Sequence, residues 1–263
     1  MARKPKKPTW VVEKEREKRG ETPVTVWLFG LHAVRDALMN PARVKHRLIL
    51  TPNAQAKLED AITAGNIEPE IQDPRKFSAP LDAQSVHQGA ALEVDPLVWG
   101  SLSERCAPRG ENPVVLLLDR VSDPHNIGAI LRSAEVFGAR AVIAPHRHSA
   151  PETGALAKTA SGALERQPYL RVQNLATSMK ALKEMGYFII GLDGLGDADL
   201  AEELTKSAQM PVALALGAEG PGLRQLTRES CDIIAKIRFA GGFGSLNVSN
   251  AAAVGLYEAA RLR

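Results

Sequence analysis

The sequence contains few cysteines and no long apolar run. Cys106 and Cys231 are its only two cysteines in 263 residues, and neither has a histidine or a second cysteine at metal-ligand spacing. We therefore expect no zinc site, no disulfide framework and no catalytic metal. No run of about 18 uninterrupted apolar residues occurs, which argues against a membrane-spanning helix and against a membrane partner.

The N-terminal segment also lacks the apolar stretch that a secretory signal peptide requires. It carries Glu13, Glu15 and Glu17 and no serine, whereas a mitochondrial presequence is rich in arginine and serine and poor in acidic residues. We therefore expect a cytoplasmic protein.

Positive charge is concentrated at the N-terminus. The net charge is +3, but the first twenty residues hold eight Lys and Arg against three Glu, so the remaining 243 residues carry about −2. We expect residues 1–22 to form a basic flexible tail, which either binds RNA phosphates or acts only as a solubility tail. Because the folded body is not basic overall, its affinity for RNA would have to come from local patches.

The rest of the chain divides into two α/β regions separated by a linker. Residues 23–98 alternate short strands and helices, and residues 99–112 have the mixed Gly, Pro, Ser and charged composition of an interdomain linker. In residues 113–263, apolar strands such as VVLLLD, AVIAP and VALALG alternate with helices, which predicts a parallel sheet covered on both faces. The expected elements of the first region are strands at 24–29, 47–51, 68–71 and 89–94 and helices at 32–39 and 54–64; the last helix of the chain is expected at 248–261.

Three loops at strand ends contain the candidate site residues, because ligands of open α/β sheets bind beyond the carboxyl ends of the strands. The first loop follows VVLLLD and leads to Asn126 and Arg132. The second, GAEGPGL, places Glu219 among glycines, which let a backbone approach a ligand closely. The third, RFAGGFGSLNVSN, contains Ser245 and Asn247.

Each of these residues also has a structural explanation when it is taken alone. Asn126 is placed to cap the helix that follows it, and Arg132 is predicted on the exposed side of that helix. Glu219 could stabilise the start of a short helix through its dipole, and Asn247 or Ser249 could cap the last helix. The combination of three loops is a more specific signal than any single residue.

The glycines of the third loop do not form a dinucleotide-binding fingerprint. That motif has the spacing G-x-G-x-x-G after the first strand of a βαβ unit, with an acidic residue about twenty positions later. Gly241, Gly242 and Gly244 have neither the spacing nor the position, since barely twenty residues follow them. This argues against a dinucleotide-dependent oxidoreductase.

The three loops resemble the motifs of a known enzyme family. The segments NIGAILRSAEVFGA, LALGAEGPGL and IRFAGGFGSLNVSNAAAVGLYEA are similar, in order and spacing, to the three motifs of the SpoU-type RNA ribose 2′-O-methyltransferases of the α/β-knot superfamily. The segments GLHAVRDAL and VHQGAALEV resemble the N-terminal substrate domain of the bacterial members that methylate a guanosine of large-subunit (23S) rRNA. The resemblance covers nearly the whole chain apart from the tail and the linker.

This resemblance implies a fold, a cofactor and an assembly. Residues 113–263 would form an α/β methyltransferase domain that binds S-adenosylmethionine and contains a deep trefoil knot, and residues 23–98 a small α/β RNA-binding domain similar to a ribosomal protein. The protein would be a homodimer with the cofactor pocket beside the subunit interface. The implied catalytic residues are Asn126, Arg132, Glu219, Ser245 and Asn247. The residues implied to hold the cofactor, largely through backbone groups, are Gly217, Ile237 and Leu246.

Arg132 is implied to accept the proton of the ribose 2′-hydroxyl or to organise its removal. Because a guanidinium stays protonated at neutral pH, we expect Arg132 to bind the phosphate next to the target ribose and to lower the pKa of the hydroxyl. One departure from the family pattern concerns the cofactor: members often have Pro-Met where this chain has Arg238 and Phe239. Two alternatives stay open, a tRNA 2′-O-methyltransferase and an RNA-binding ribosome assembly factor without catalysis.

Further basic and aromatic residues are weaker candidates for RNA contact, each with a structural alternative. Two histidines two residues apart do not by themselves indicate a metal site, because no carboxylate or cysteine lies near them. These candidates are the cluster Arg43, Lys45, His46 and Arg47, the run His146, Arg147 and His148, and the tryptophans Trp10, Trp27 and Trp99.

Overall fold

The computed structural model describes residues 25–82, 85–238, 240–241 and 245–263. These residues form two α/β units, one built on a four-stranded sheet and the other on a seven-stranded sheet. The basic tail, Trp10, Phe239, Gly242 and Gly244 lie outside the described residues.

The first unit is a small sheet covered by helices. Its strands are β1 (Val26–Phe29), β2 (Lys45–Leu50), β3 (Pro69–Ile71) and β4 (Ala90–Val94). Strand β4 pairs with β1 and with β2 in antiparallel, and β2 pairs with β3 in parallel, which gives the order β1-β4-β2-β3. Its helices are α1 (Leu31–Met39), α2 (Pro52–Lys57) and α3 (Glu59–Gly65), and a 3-10 turn spans Pro74–Lys76. All four expected strands and the first helix are present.

The helix expected at 54–64 is instead two short helices. Thr51 caps α2 by accepting the backbone N–H of Ala54, and Pro52 occupies the first turn. At Leu58 the backbone leaves the helical region, with φ −116° and ψ 10°, and α3 begins at the next residue. The apolar periodicity continues across the break, because Ala54, Leu58 and Ala61 are all buried, so the sequence pattern did not reveal it.

The second unit is the predicted parallel sheet. Its strands are β5 (Val114–Asp119), β6 (Ala141–Pro145), β7 (Tyr169–Val172), β8 (Phe188–Leu192), β9 (Ala198–Asp199), β10 (Val212–Gly217) and β11 (Ile233–Lys236). They have the order β7-β6-β5-β10-β8-β11-β9, and each pairing between them is parallel. The helices are α4 (Leu102–Cys106) before the sheet, then α5 (Pro124–Val136), α6 (Gly154–Ala160), α7 (Leu175–Glu184), α8 (Leu200–Lys206), α9 (Gln225–Glu229) and α10 (Val248–Arg261), with a 3-10 turn at Ala163–Glu165.

Helices cover both faces of this sheet, as the apolar strands predict. Along β5, Leu116 and Leu118 belong to one core cluster, and Val115 and Leu117 belong to the other. The first of these clusters continues into the first unit, where it includes Leu28. The two units therefore share one apolar core.

The segment with linker composition is packed against the second unit. Ser101 and Glu104 form a reciprocal capping box at the start of α4, and Cys106 at its end is fully buried. The Tyr187 hydroxyl donates a hydrogen bond to the carbonyl of Cys106 at 2.7 Å. Within the described ranges, no helix has both the length and the apolar character needed to cross a membrane.

Candidate active site

A cavity of about 490 Å³ lies beyond the carboxyl ends of three neighbouring strands. Leu192 ends β8, Gly217 ends β10, and Ile237 follows β11, and all three residues line the cavity. The third sequence loop closes one side with residues 245–248. Parallel α/β sheets bind ligands at such carboxyl ends.

The cavity brings together most of the residues singled out in the sequence. Its lining includes the three residues expected to hold the cofactor and three of the five expected catalytic residues. These six are Gly217, Ile237, Leu246, Glu219, Ser245 and Asn247. The other two, Asn126 and Arg132, lie on α5.

Three side chains from the three loops form one hydrogen-bonded cluster. The amide Nδ2 of Asn126 donates to Glu219 Oε1 at 3.1 Å. The amide Nδ2 of Asn247 donates to Asn126 Oδ1 at 3.1 Å and also to Glu219 Oε1. Because three distant parts of the sequence converge here, the three loops form one polar cluster.

Asn247 combines a capping role and a site role on different atoms. Its Oδ1 accepts the backbone N–H of Ser249 at 2.9 Å and the Ser249 hydroxyl at 2.5 Å, so it is the N-cap of α10. Its Nδ2 makes the two hydrogen bonds within the cluster. The capping interpretation is therefore confirmed, and the catalytic role of this residue stays a prediction.

The prediction that Asn126 caps the first helix is wrong. Asp123 is the N-cap of α5, with its carboxylate accepting the backbone N–H of His125 at 2.9 Å, and Pro124 occupies the first turn. Asp is as good a cap as Asn, and proline favours the first helical position, so the helix starts earlier than expected. Asn126 lies in the first turn with its side chain directed to Glu219.

The loop that carries Glu219 is folded tightly on itself. A Cβ added to Gly217 would collide with the backbone of Gly222, so only glycine fits at the end of β10. The Gly222 N–H donates to the carbonyl of Ala218 at 2.9 Å, and Gly220 and Gly222 have φ of +83° and +67°. This turn holds Glu219 at the rim of the cavity.

Asp119 is a site-supporting residue that the sequence analysis missed. Its fully buried carboxylate ends β5 and accepts the backbone N–H of Arg224 at 2.9 Å and the Arg224 Nε at 2.6 Å. The contact anchors the far end of the Glu219 loop to β5, the strand beside β10. A carboxylate closing an otherwise apolar buried strand was the signal that could have identified it.

Arg132 is separate from the cluster. It lies six residues after Asn126 on α5, about 9 Å along the helix axis. Its side chain is exposed and does not line the cavity, and it has no hydrogen bond or ion pair with any residue that the structure describes. The structure thus unites four of the five expected catalytic residues and leaves the guanidinium of Arg132 available.

Arg238, the departure from the family pattern, points away from the cavity. Its guanidinium pairs with Asp199 Oδ2 and Glu202 Oε1, each at 2.6 Å, at the start of α8. Burial acts to raise the pKa of Asp199, but backbone hydrogen bonds and Arg238 outweigh it, and the pKa is lowered. Arg238 therefore fastens the segment after β11 to α8, while its neighbour Ile237 lines the cavity.

The basic cluster of the first unit is largely neutralised by internal ion pairs. Arg43 is buried between two carboxylates of the second unit, so the interpretation that it contacts RNA is wrong. Its neighbours His46 and Arg47 pair with Asp95 and Glu70. Sequence proximity grouped these side chains, but their partners come from distant segments that the pattern did not identify.

The other weaker candidates remain untested predictions. His146, Arg147 and His148 are exposed, and Trp27 and Trp99 are partly buried with an arginine over each ring. Among the described residues, the structure contains no group of three or more side chains able to hold a metal ion.

Comparison with known proteins gives a consistent family for both units. Residues 113–257 match the model of the SpoU rRNA Methylase family, and residues 27–98 match the model for RNA 2′-O ribose methyltransferase substrate binding. The chain is 41% identical over 245 residues to the 23S rRNA (guanosine-2′-O-)-methyltransferase RlmB of Pseudomonas putida, covering 90% of this chain and 96% of that protein. It is 40% identical over 243 residues to the protein of the same description from Vibrio cholerae, with 90% and 96% covered.

A solved structure shows the same fold over both units. The SpoU methyltransferase AviRb from Streptomyces viridochromogenes, in complex with the cofactor AdoMet, superposes with a TM-score of 0.76. The two sequences are 25% identical, and the match covers 94% of this chain and 92% of AviRb.

Proposed function

Because the chain belongs to the SpoU rRNA methylase family, we propose that it transfers a methyl group from S-adenosylmethionine to the 2′-hydroxyl of a guanosine in 23S rRNA. The observation that carries the proposal is the hydrogen-bonded cluster of Asn126, Glu219 and Asn247 at the rim of the strand-end cavity. The substrate assignment follows the relatives of about 40% identity, because the match covers nearly the whole length of each of them.

The cavity fits S-adenosylmethionine in size and lining. About 490 Å³ is within the range of small-molecule sites. The close approach at Gly217 keeps side chains out of this wall, so backbone groups can face a ligand there, while Ile237 and Leu246 supply apolar surface. When bound, the cofactor supplies a methyl group on a positively charged sulfur, which leaves as a neutral thioether.

The cluster would position the ribose hydroxyl in line with that methyl group. An ordinary hydroxyl is a weak nucleophile, so orientation and loss of its proton are the difficult parts of the reaction. Asn126 and Asn247 hold Glu219 in one orientation, and Ser245 lies exposed on the same cavity wall. In this proposal these four side chains orient the ribose.

Arg132 would bind the phosphate next to the target ribose. Its guanidinium is exposed and without an ion pair among the described residues, and arginine binds phosphate through two parallel hydrogen bonds. The bound arginine would orient the 2′-hydroxyl and lower its pKa, so that the hydroxyl proton passes to solvent water as the methyl carbon leaves sulfur and bonds to the ribose oxygen.

A substitution at Arg132 tests this role. We expect Arg132→Ala to lower kcat by about 10²-fold or more while leaving the cofactor Kd within twofold, since the side chain lies outside the cavity. The matched control is Lys180→Ala, which removes an exposed cation on α7 with only a 4.0 Å ion pair to Glu184. An unchanged kcat with weakened cofactor binding would contradict the assignment.

We also propose an assembly and a location for the protein. Residues 113–263 would contain the deep trefoil knot of the family, and the protein would be a cytoplasmic homodimer. Exposed apolar side chains on the adjoining helices α5 and α10 support a subunit interface there: Val136, Val254 and Tyr257 are 70, 36 and 53% exposed. Sedimentation of the full chain would test the dimer. We further propose that the chain consists of a basic tail (1–22), a substrate-binding domain (23–98), a linker (99–112) and the methyltransferase domain (113–263).

The substrate is tested by tritiated methyl transfer to separate pools of unmodified 23S rRNA and tRNA, followed by nucleoside mapping. Label in a 2′-O-methylguanosine of 23S rRNA is the expected result. Label confined to tRNA would retain the chemistry and replace the substrate, and cofactor binding without any label would favour an assembly factor without catalysis.

A further inference from the structure

Helix α6 lies between the substrate-binding unit and the helix that carries Asn126. On one side, Gly154 packs so closely on β1 that an added Cβ would collide with the Trp27 carbonyl and the Phe29 ring. On the other side, a Cβ on Gly128 of α5 would lie 2.7 Å from the Thr159 Cβ of α6. Because both faces of α6 are in tight contact, a shift of the first unit would displace α5.

Arg43 of the first unit binds one carboxylate before α6 and one after it in the sequence. Its Nε and Nη2 donate to the two carboxylate oxygens of Glu165, at 3.0 and 2.5 Å, in the 3-10 turn that follows α6. Its Nη1 pairs with Glu152, just before α6, and donates to the Asp95 carbonyl at 2.7 Å. The Arg43 side chain is fully buried, so this arrangement is an internal fastening between the units.

The charges of this network depend on one another. Burial acts to lower the pKa of Arg43, but its contacts with Glu165 and Glu152 outweigh this effect and raise it. Burial raises the pKa of Glu152, and the ion pair with Arg43 offsets only part of that rise. Removing the guanidinium would therefore leave two carboxylates in a poorly solvated interface, which opposes the docked arrangement.

Further contacts connect the first unit to α5, the helix that carries Asn126. Arg166 donates to Asp36 of α1 at 2.7 Å and also pairs with Glu135 of α5, so it links the two units directly. Thr159 of α6 is hydrogen-bonded to His125 at 3.1 Å, next to Asn126 in the sequence. The position of the first unit is thus set relative to the polar cluster.

We propose that Arg43 is a positioning residue: by fixing the substrate-binding unit on α6, it determines which ribose of a bound RNA reaches the cavity. The inference rests on the proposed function. RNA held by a rigidly docked first unit is presented at one fixed distance from the cluster, and small displacements of a reacting group reduce the rate of transfer strongly. Arg43 acts on the substrate through the orientation of the first unit and touches neither RNA nor cofactor.

The test compares Arg43→Met with Lys180→Met in the full chain. Lys180 is the control, because it is an exposed cation on α7, outside the substrate-binding unit, with only a 4.0 Å ion pair to Glu184. Methyl transfer to 23S rRNA would be measured for kcat, KM and the position of the modified nucleotide, and cofactor Kd by titration calorimetry. We expect Arg43→Met to lower kcat/KM at least tenfold, mainly through kcat, or to spread label to other guanosines, with cofactor Kd within twofold, and Lys180→Met to match wild type.

Two more variants separate positioning from stability. Arg43→Lys retains the charge and should recover part of the lost kcat/KM. The triple variant Arg43→Met, Glu152→Gln and Glu165→Gln leaves no buried charge unpaired, so it decides the question if the single variant does not fold. A folded variant without the guanidinium that keeps wild-type kcat/KM and a single modified nucleotide overturns the proposal. Absence of label with the wild-type protein would instead refute the proposed function.

Discussion

Asn247 permits a direct separation of stability from catalysis, because its two roles use different atoms. Oδ1 caps α10 through Ser249, and Nδ2 donates to Asn126 and Glu219. Asn247→Ala removes both roles. Asn247→Asp retains an oxygen cap and replaces the donor with a carboxylate beside Glu219. Asn247→Ser retains a neutral cap whose hydroxyl is too short to reach the cluster.

The expected magnitudes follow from the contacts. Loss of an N-cap destabilises a protein by about 1 kcal/mol, which corresponds to roughly 2–4 °C in Tm for a chain of this size. We therefore expect Asn247→Ala to lower Tm by about that amount and the serine variant to stay near wild type, whereas the aspartate variant keeps the cap but loses stability to repulsion by Glu219. Methyl transfer should fall about 10²-fold in all three variants, and furthest with aspartate, because a second carboxylate repels Glu219.

Thermal unfolding and methyl transfer to 23S rRNA would be measured on the same preparations. Equal loss of Tm in the alanine and serine variants would show that Oδ1 is not the stabilising cap. Near wild-type transfer by Asn247→Ser would show that the amide donors are unimportant, and the reasoning about the cluster would then fail.

Three further predictions concern the loop that carries Glu219 and the cysteines. Gly217→Ala should weaken cofactor binding about tenfold in titration calorimetry, since overpacking costs about 1–3 kcal/mol. Gly220→Ala has open space around its Cβ and should lose only about 1 kcal/mol of stability to backbone strain. Equal effects of the two substitutions on cofactor binding would contradict the close approach at Gly217. Asp119→Asn should lower the free energy of unfolding by about 1.5–3 kcal/mol, because a buried charge-assisted contact is lost, and an unchanged denaturation midpoint would show that the anchor is dispensable. Burial raises the pKa of the half-buried Cys231 thiol to about 11, so its alkylation at pH 8 should be about a hundredfold slower than that of an ordinary thiol and should speed up as pH rises; rapid labelling of Cys231 in the folded protein would refute this. Cys106 is fully buried and should be labelled only after unfolding.

The sequence predicted the architecture well where periodicity is strong. The wholly apolar strands around β5 and β10 indicated the two-sided parallel sheet, and the small-residue helix at 248–261 begins and ends as expected. The residues expected to hold the cofactor line one cavity, because the carboxyl ends of parallel strands lie at one edge of the sheet.

Features that depend on tertiary contacts could not be predicted in this way. Helix α6 was missed because its sequence GALAKTA is short and begins with glycine, and tight packing on both sides stabilises it. Asn126 fits the N-cap pattern, but so does Asp123, and the proline after Asp123 is the signal that favours the earlier start of the helix. Arg43 has the sequence pattern of a surface cation, because its partners lie more than a hundred residues away in the chain.

The buried ion pairs of Arg43 between the two units have a consequence for engineering and for evolution. A chimaera that joins residues 1–98 of another family member to this methylase half would face Glu152 and Glu165 with whatever residue replaces Arg43. Substrate preference in such hybrids would be inherited together with the complementary interface and not with the RNA-binding half alone. Successful exchange between relatives is therefore expected only when position 43 and the carboxylates flanking α6 are transferred as a set.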